Sequence, residues 1–365
     1  MKTKFAILAL STVLLTGPAL AQREGPPRPQ LPPVALNGQM TDAQIGAALD
    51  PWLAGLSRGH VFNGAVLVAR NGREIYAAAY GDASLEPRTA LNVETRFPLA
   101  SITKQFTQAS VLQLIEAGRL SPETTIGDVI PDYPNAMSRS ATVQQLMDHR
   151  GGLADFLGPG FRDAPKETFT SNHAYFEFAS QLAPDFAPGE REEYCNSCYV
   201  VLGEIIERVT GAPYESYVAE HVLAAAGMTS SGYFRHDQAP ENTARFIGHP
   251  MGPGTEARDV ARWHGVSASA AGNSYATIRD VLAYDNALRE GRLVNAAHTA
   301  QMLHSAQSAG RSSARFGYAG GAPGVNTVVM GNGEWTLVVL TNNEPPTAEA
   351  INETVFPLLA GPRPQ

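Results

Sequence analysis

The sequence predicts an α+β fold, an α/β sandwich whose antiparallel sheet is assembled from both chain ends, with flanking helices and a mostly helical insertion. Two hairpin signals and one long helical stretch predict it. Near the N-terminus, β-rich runs at 64–69 and 74–80 flank Asn71-Gly72, residue types that accept the positive φ angles of a tight turn. Near the C-terminus, 327–330 and 335–340 flank Asn332-Gly333 in the same way. Between them apolar residues recur at helical spacing, over 143–149, 199–209 and 278–288. Distant segments then meet where sheet and insertion join, and pockets form at such junctions.

Taken in chain order, Lys2 and Lys4 precede an apolar run over 5–15, and Ala19-Leu20-Ala21 fits the small-residue cleavage rule. Residues 1–21 therefore read as a signal peptide, with a periplasmic or secreted chain beginning near Gln22. Residues 22–38 read as a proline-rich leader outside the fold. The globular domain is expected over 39–360, with the helical insertion at about 98–290. Thr41-Asp42-Ala43-Gln44 is a capping box opening a helix to about residue 56, with Ile45, Ala48, Leu49 and Leu53 on its apolar face. The stretches 159–188 and 238–264 show no periodicity and read as loops walling a cleft. A last helix is expected around 349–359.

Charge narrows the partners. Removing the signal takes two of 27 basic residues and none of 35 acidic ones, leaving a formal charge of −10. Nucleic acid and anionic membrane are poor partners for such a surface. No later stretch approaches the roughly 20 apolar residues of a membrane span, so no integral membrane segment is expected after signal removal. The expected partner is a small-molecule or peptide substrate.

The chemistry begins at 98–106, Pro-Leu-Ala-Ser-Ile-Thr-Lys-Gln-Phe, where a loop becomes a helix. Ser101 and Lys104 stand three apart, on one helical face. In the first turn, free N–H groups and the helix dipole favour negative charge. Ser101 can then be an acylatable nucleophile, with a desolvated Lys104 taking its proton. The helix that follows reads as amphipathic through Phe106, Val111, Leu112, Leu114 and Ile115, stopping at Gly118. Tyr194 and Asn196 precede the helix near Tyr199. A tyrosine beside an ammonium can shuttle a proton, and an asparagine amide can hold a substrate carbonyl. Glycines in Gly317-Tyr318-Ala319-Gly320-Gly321-Ala322-Pro323-Gly324 let backbone approach a ligand closely.

Other residues carry less. Cys195 and Cys198 are the two cysteines, and a C-x-x-C pair admits a local disulfide or redox chemistry. No thioredoxin-type β-α-β pattern surrounds them. His149, His173, His249 and His264 lack ligand spacing and read as structural or surface histidines. Trp52, Trp263 and Trp335 read as core or cleft walls, and Asp155 as a solvated loop acid.

S-x-x-K at 101–104, then Y-x-N at 194–196, then a glycine-rich strand resembles the serine β-lactamase and penicillin-binding-protein superfamily, in its class C-related branch. The runs 96–106, 142–153 and 199–211 extend the resemblance over most of 60–345. It implies the β-lactamase/transpeptidase-like fold, with Ser101 as acylated nucleophile, Lys104 as its activator and Tyr194 as proton relay. Asn196, Tyr318, Ala319 and Gly320 would contact substrate, and the N–H groups of Ser101 and Gly321 would form the oxyanion hole. No metal or cofactor is called for.

Two departures accompany it. Relatives acting on β-lactams or D-alanyl peptides usually begin the third motif with lysine or histidine, then threonine, serine or glycine. Tyr318-Ala319-Gly320 supplies neither cation nor hydroxyl at the second position, and a lost charge-assisted contact costs about 1.5–3 kcal/mol. Esters or amides lacking a free carboxylate are thus the expected substrates, and β-lactamase activity is expected to be weak. The alternative is a non-catalytic or barely active relative that binds cell-wall peptide or a protein. The paired cysteines also depart from the common pattern, which motivates a Cys195–Cys198 bridge stiffening the loop that presents Tyr194.

Overall fold

Thr41 accepts a hydrogen bond from the Gln44 N–H while the Gln44 side chain accepts one from Thr41, and this reciprocal cap opens α1 (Asp42–Arg58). The computed structural model describes residues 28–249, 256–305 and 316–361. The expected signal peptide at 1–21, with the first part of the leader, lies outside the described residues.

After α1, β1 (Gly64–Arg70) and β2 (Arg73–Tyr80) form the expected hairpin. Arg70 pairs with Arg73, leaving Asn71 at φ 51° and Gly72 at φ 74° in the turn. The insertion follows, with α2 (Thr103–Glu116), α3 (Asn172–Ser180), α4 (Asn196–Thr210) and α5 (Ile278–Arg289) as its main helices. The chain returns through β3 (Phe316–Ala322), β4 (Val325–Gly331) and β5 (Trp335–Thr341), and ends in α6 (Thr347–Ala360). These strands make one antiparallel sheet in the order β2-β1-β5-β4-β3. Gly64 lies opposite Thr341, so the two chain ends pair at the sheet centre.

Both sheet faces are buried, which explains why β1, β4 and β5 read as nearly continuous apolar runs. Val66, Val68, Leu337 and Val339 pack under α1 and α6, against Ile45, Leu49, Leu53, Ile351 and Phe356. The alternate residues Leu67, Val338 and Leu340 face the helical insertion. The α+β architecture is therefore as expected, with the edge strand β3 lying against the insertion.

Three expectations need correction. The described part of the leader, 28–38, is docked and not free: Leu36 is buried, Leu31 and Val34 pack on the α1/α6 cluster, and Trp52 Nε1 donates to the Pro32 carbonyl at 2.9 Å. Proline-rich backbone leaves carbonyls unpaired, and here a tryptophan takes one. Within the supposed loop 159–188, residues 172–180 are helical, capped by Ser171 accepting from the Ala174 N–H. Packing on α4 overrides the modest helix propensity of Asn-His-Ala-Tyr-Phe. Finally, α2 is not amphipathic, because Thr103, Gln105, Thr107, Gln108 and Ser110 are buried together with its apolar residues. It runs through the middle of the insertion, and its stop at Gly118, φ 67°, is as read.

Candidate active site

Ser101 sits in a one-turn 3-10 helix, Ala100–Ile102, that leads directly into α2. Ala100 is held at φ 45°, a left-handed conformation that alanine adopts only when its surroundings impose it. Those surroundings are visible. The Leu99 N–H donates to Ser274 O at 2.8 Å, the Ala100 carbonyl accepts from the Asn273 N–H at 3.1 Å, and Thr327 Oγ1 donates to Leu99 O at 3.0 Å. The Ser101 turn is thereby tied to both the insertion and β4.

One turn into α2, Lys104 is 5% exposed. Its Nζ donates to Ser101 Oγ at 3.2 Å, Asn196 Oδ1 at 2.7 Å and Ala271 O at 2.5 Å. Burial lowers the Lys104 pKa, opposed by Tyr194 and then by the Asp155 charge. An ammonium short of water releases its proton more readily, which suits a base for the Ser101 hydroxyl.

Tyr194 reaches the same oxygen from the other side, its hydroxyl donating to Ser101 Oγ at 2.6 Å. Its ring lies 5.0 Å from Lys104 Nζ and 4.7 Å from the His149 ring. Asn196 opens α4 beneath it, with both its backbone N–H and Nδ2 donating to Asp155 Oδ2, at 3.1 and 2.8 Å. That pair leaves Oδ1 facing Lys104. A disulfide joins Cys195 to Cys198 across this turn, and the Cys195 N–H donates to His149 Nδ1 at 3.1 Å. Accepting that bond requires an unprotonated Nδ1, and burial together with the Lys104 charge pushes the His149 pKa down to about 4.

The third motif is β3, crossing the Ser101 turn. A Cβ at Gly320 would stand 2.6 Å from Ser101 N and 2.7 Å from Leu99 O, so glycine is required for the crossing. Strand alternation turns Ala319 and Gly321 outward and Tyr318 and Gly320 inward. The expected substrate contact from Tyr318 is corrected accordingly. Its hydroxyl is buried beside Asp285, away from solvent, and only part of the residue walls the cleft. Gly320 likewise serves as a spacer, its carbonyl accepting from Asn326 Nδ2 and Thr327 Oγ1.

Two cavities meet at Ser101. One, about 240 Å³, has Ser101, Asn196 and Gly321 at its base and Phe156, Phe161 and Trp263 in its walls. The other, about 370 Å³, contains Lys104, Gln105, Tyr194 and Ala319. Residues 47–360 match the sequence profile of the Beta-lactamase family. The chain belongs to that family.

Among Beta-lactamase family relatives, 188 residues are 29% identical to Penicillin-binding protein 4* of Bacillus subtilis, over 51% of this chain and 41% of that protein. A further 170-residue alignment is 32% identical to the D-aminopeptidase of Brucella canis, over 46% of this chain and 32% of that protein. The chain thus matches less than two thirds of the length of these relatives. The crystal structure of a penicillin-binding protein from Bacillus halodurans superposes with a TM-score of 0.72 at 23% identity, covering 82% of this chain and 98% of that one. That likeness concerns the fold.

Sequence reading missed Asp155, whose carboxylate orients Asn196 from 41 residues away. It also missed the Ala271 carbonyl and Phe156, whereas Phe161 and Trp263 come from stretches read as cleft walls. A lone acid after a Gly-Gly turn carries no signal of its partner, and a carbonyl carries none at all.

Proposed function

We propose that this chain is an exported serine hydrolase that acts through a Ser101 acyl-enzyme on esters or amides with an uncharged acyl group. The observation that carries the reading is the convergence on Ser101 Oγ of the Tyr194 hydroxyl at 2.6 Å and Lys104 Nζ at 3.2 Å, with Lys104 desolvated. Lys104, once neutral, accepts the Ser101 proton as Oγ attacks the carbonyl carbon. The oxyanion collects hydrogen bonds from the Ser101 and Gly321 N–H groups. Tyr194 relays the proton to the departing oxygen or nitrogen, and water then cleaves the acyl-enzyme. The aromatic cavity supports an apolar acyl group, since Arg162 in its lining is an exposed residue and Tyr318, not lysine or histidine, begins the β3 motif. Export rests on the N-terminal charge and apolar pattern, and the expected mature N-terminus is near Gln22.

The test is covalent labelling followed by turnover. A fluorophosphonate adduct on Ser101, with p-nitrophenyl butyrate hydrolysed faster than nitrocefin, supports the reading. Folded protein that takes no adduct and turns over neither compound overturns it in favour of a binding role.

A further inference from the structure

Tyr194 holds its hydroxyl on Ser101 Oγ from a segment with little support of its own. Residues 191–195 belong to neither helix nor strand, and Tyr194 is 54% exposed. A loop residue so exposed keeps one geometry only when its backbone is pinned. Its two neighbours are both pinned to the same residue. The Glu193 N–H donates to the His149 carbonyl at 2.9 Å, and the Cys195 N–H donates to His149 Nδ1 at 3.1 Å. The imidazole also lies against two phenols, its centroid 4.7 Å from that of the Tyr194 ring and 5.2 Å from that of the Tyr199 ring.

His149 is itself fixed. It follows the short helix Val143–Met147, its own N–H donating to the Leu146 carbonyl at 3.3 Å, and it is held at φ 57°. That left-handed conformation is uncommon for a side-chain-bearing residue and persists where the surroundings impose it. Nδ1 accepts a hydrogen bond only when unprotonated. The charged groups acting on the ring are Lys104 on α2 and Asp155 in the loop before it. Burial and then Lys104 outweigh Asp155, so the imidazole is neutral near pH 7.

We infer that His149 is a positioning residue that clamps the loop on both sides of Tyr194 and so keeps the phenol at hydrogen-bond distance from Ser101 Oγ. The inference rests on the acyl-enzyme reading above. The clamp acts through Tyr194, on the proton relay, and an error of about 1 Å in such a relay costs on the order of a hundredfold in rate. His149 also lines the larger cavity, so its test has to separate a clamp from a cavity wall.

Kinetics with p-nitrophenyl butyrate make that separation. His149→Ala removes the acceptor and the ring, and is expected to lower kcat by roughly ten- to hundredfold with KM within about threefold of wild type. His149→Asn keeps an acceptor and tolerates a positive φ, so it should return kcat to within about fivefold of wild type. In a Tyr194→Phe background, His149→Ala should cost less than about threefold, because the hydroxyl it positions is gone. A loss carried by KM, a loss as large in the Tyr194→Phe background as in the wild type, or an asparagine variant no better than alanine overturns the clamp while leaving the hydrolase intact. Should His149→Ala not fold, nitrogen-15 NMR of the wild-type imidazole at pH 7 decides. Nδ1 unprotonated, with the Cys195 amide slow to exchange, supports the clamp, and an Nδ1–H tautomer overturns it. If p-nitrophenyl butyrate is not turned over and Ser101 takes no fluorophosphonate, the acyl-enzyme reading fails and the positioning role falls with it.

Discussion

The Tyr194 hydroxyl donates to Ser101 Oγ at 2.6 Å although 93 positions separate the two residues in the chain. Lys104 approaches the same oxygen from its own helix, so Ser101 Oγ is held between a phenol and an amine. Ser101→Ala is expected to abolish acylation, and Tyr194→Phe to lower kcat/KM for an ester by about 10²–10⁴-fold. Stopped-flow acylation kinetics check both, and a Tyr194→Phe variant within threefold of wild type would remove the tyrosine from the mechanism.

In the proposed mechanism Lys104 must be neutral to accept the serine proton, and its pKa is lowered first by burial. Activity should therefore rise with pH as Lys104 deprotonates, with a midpoint below the ordinary lysine value of 10.5. Lys104→Arg, which keeps the charge permanently, should reduce kcat/KM by about 10²–10⁴-fold and erase that limb. A pH–rate profile identical in shape to wild type would contradict this.

Glycine matters at position 320 for space and at 55 for entropy, so the two substitutions should have opposite signs. Gly320→Ala drives a Cβ into the backbone of the Ser101 turn and should destabilise by about 1–3 kcal/mol while lowering acylation. Gly55→Ala, at an exposed position of α1 with nothing near the new methyl, should stabilise by up to about 1 kcal/mol. Thermal melts of the two variants read the contrast directly.

His264 is buried, its Nε2–H donating to the Pro323 carbonyl at 2.7 Å and its Nδ1 accepting from Asn273 at 3.2 Å. Burial pushes its pKa down to about 4 from 6.5. Below 6.5 the unfolded chain binds the proton more readily, so His264 contributes stability fully present above 6.5 and lost as pH falls toward 4. Asp285 acts oppositely: burial raises it to about 6, so its contribution is complete below 3.8 and is lost as pH rises through 6. In urea melts, His264→Gln should flatten the acid-side loss, whereas Asp285→Asn should remove a loss on the neutral side. Unchanged pH profiles in both variants would refute the assignment.

Local signals in the sequence carried much of the fold. The Thr41–Gln44 cap and the Asn71-Gly72 turn are stretches where backbone preference and side-chain hydrogen bonding agree within four residues. The helix at 172–180 was illegible because packing on α4, not its own residues, stabilises it. Tyr318 was misplaced for a related reason: a tyrosine in a glycine-rich strand can face either side, and only its register beside β4, opposite Val329, assigns it to the core. Asp155 belongs to the same class, since its partner Asn196 is remote.

By itself, then, the sequence determined the two hairpins that supply the sheet, the capped first helix and the Ser101–Lys104 pair, because each depends on neighbours one helical turn or one hairpin away. Only the tertiary structure decided that Tyr194 and Asn196 reach that pair, that Tyr318 faces inward, and that two cavities meet at one oxygen. Those outcomes depend on which distant surfaces exclude water together, and burial is a property of the assembled chain.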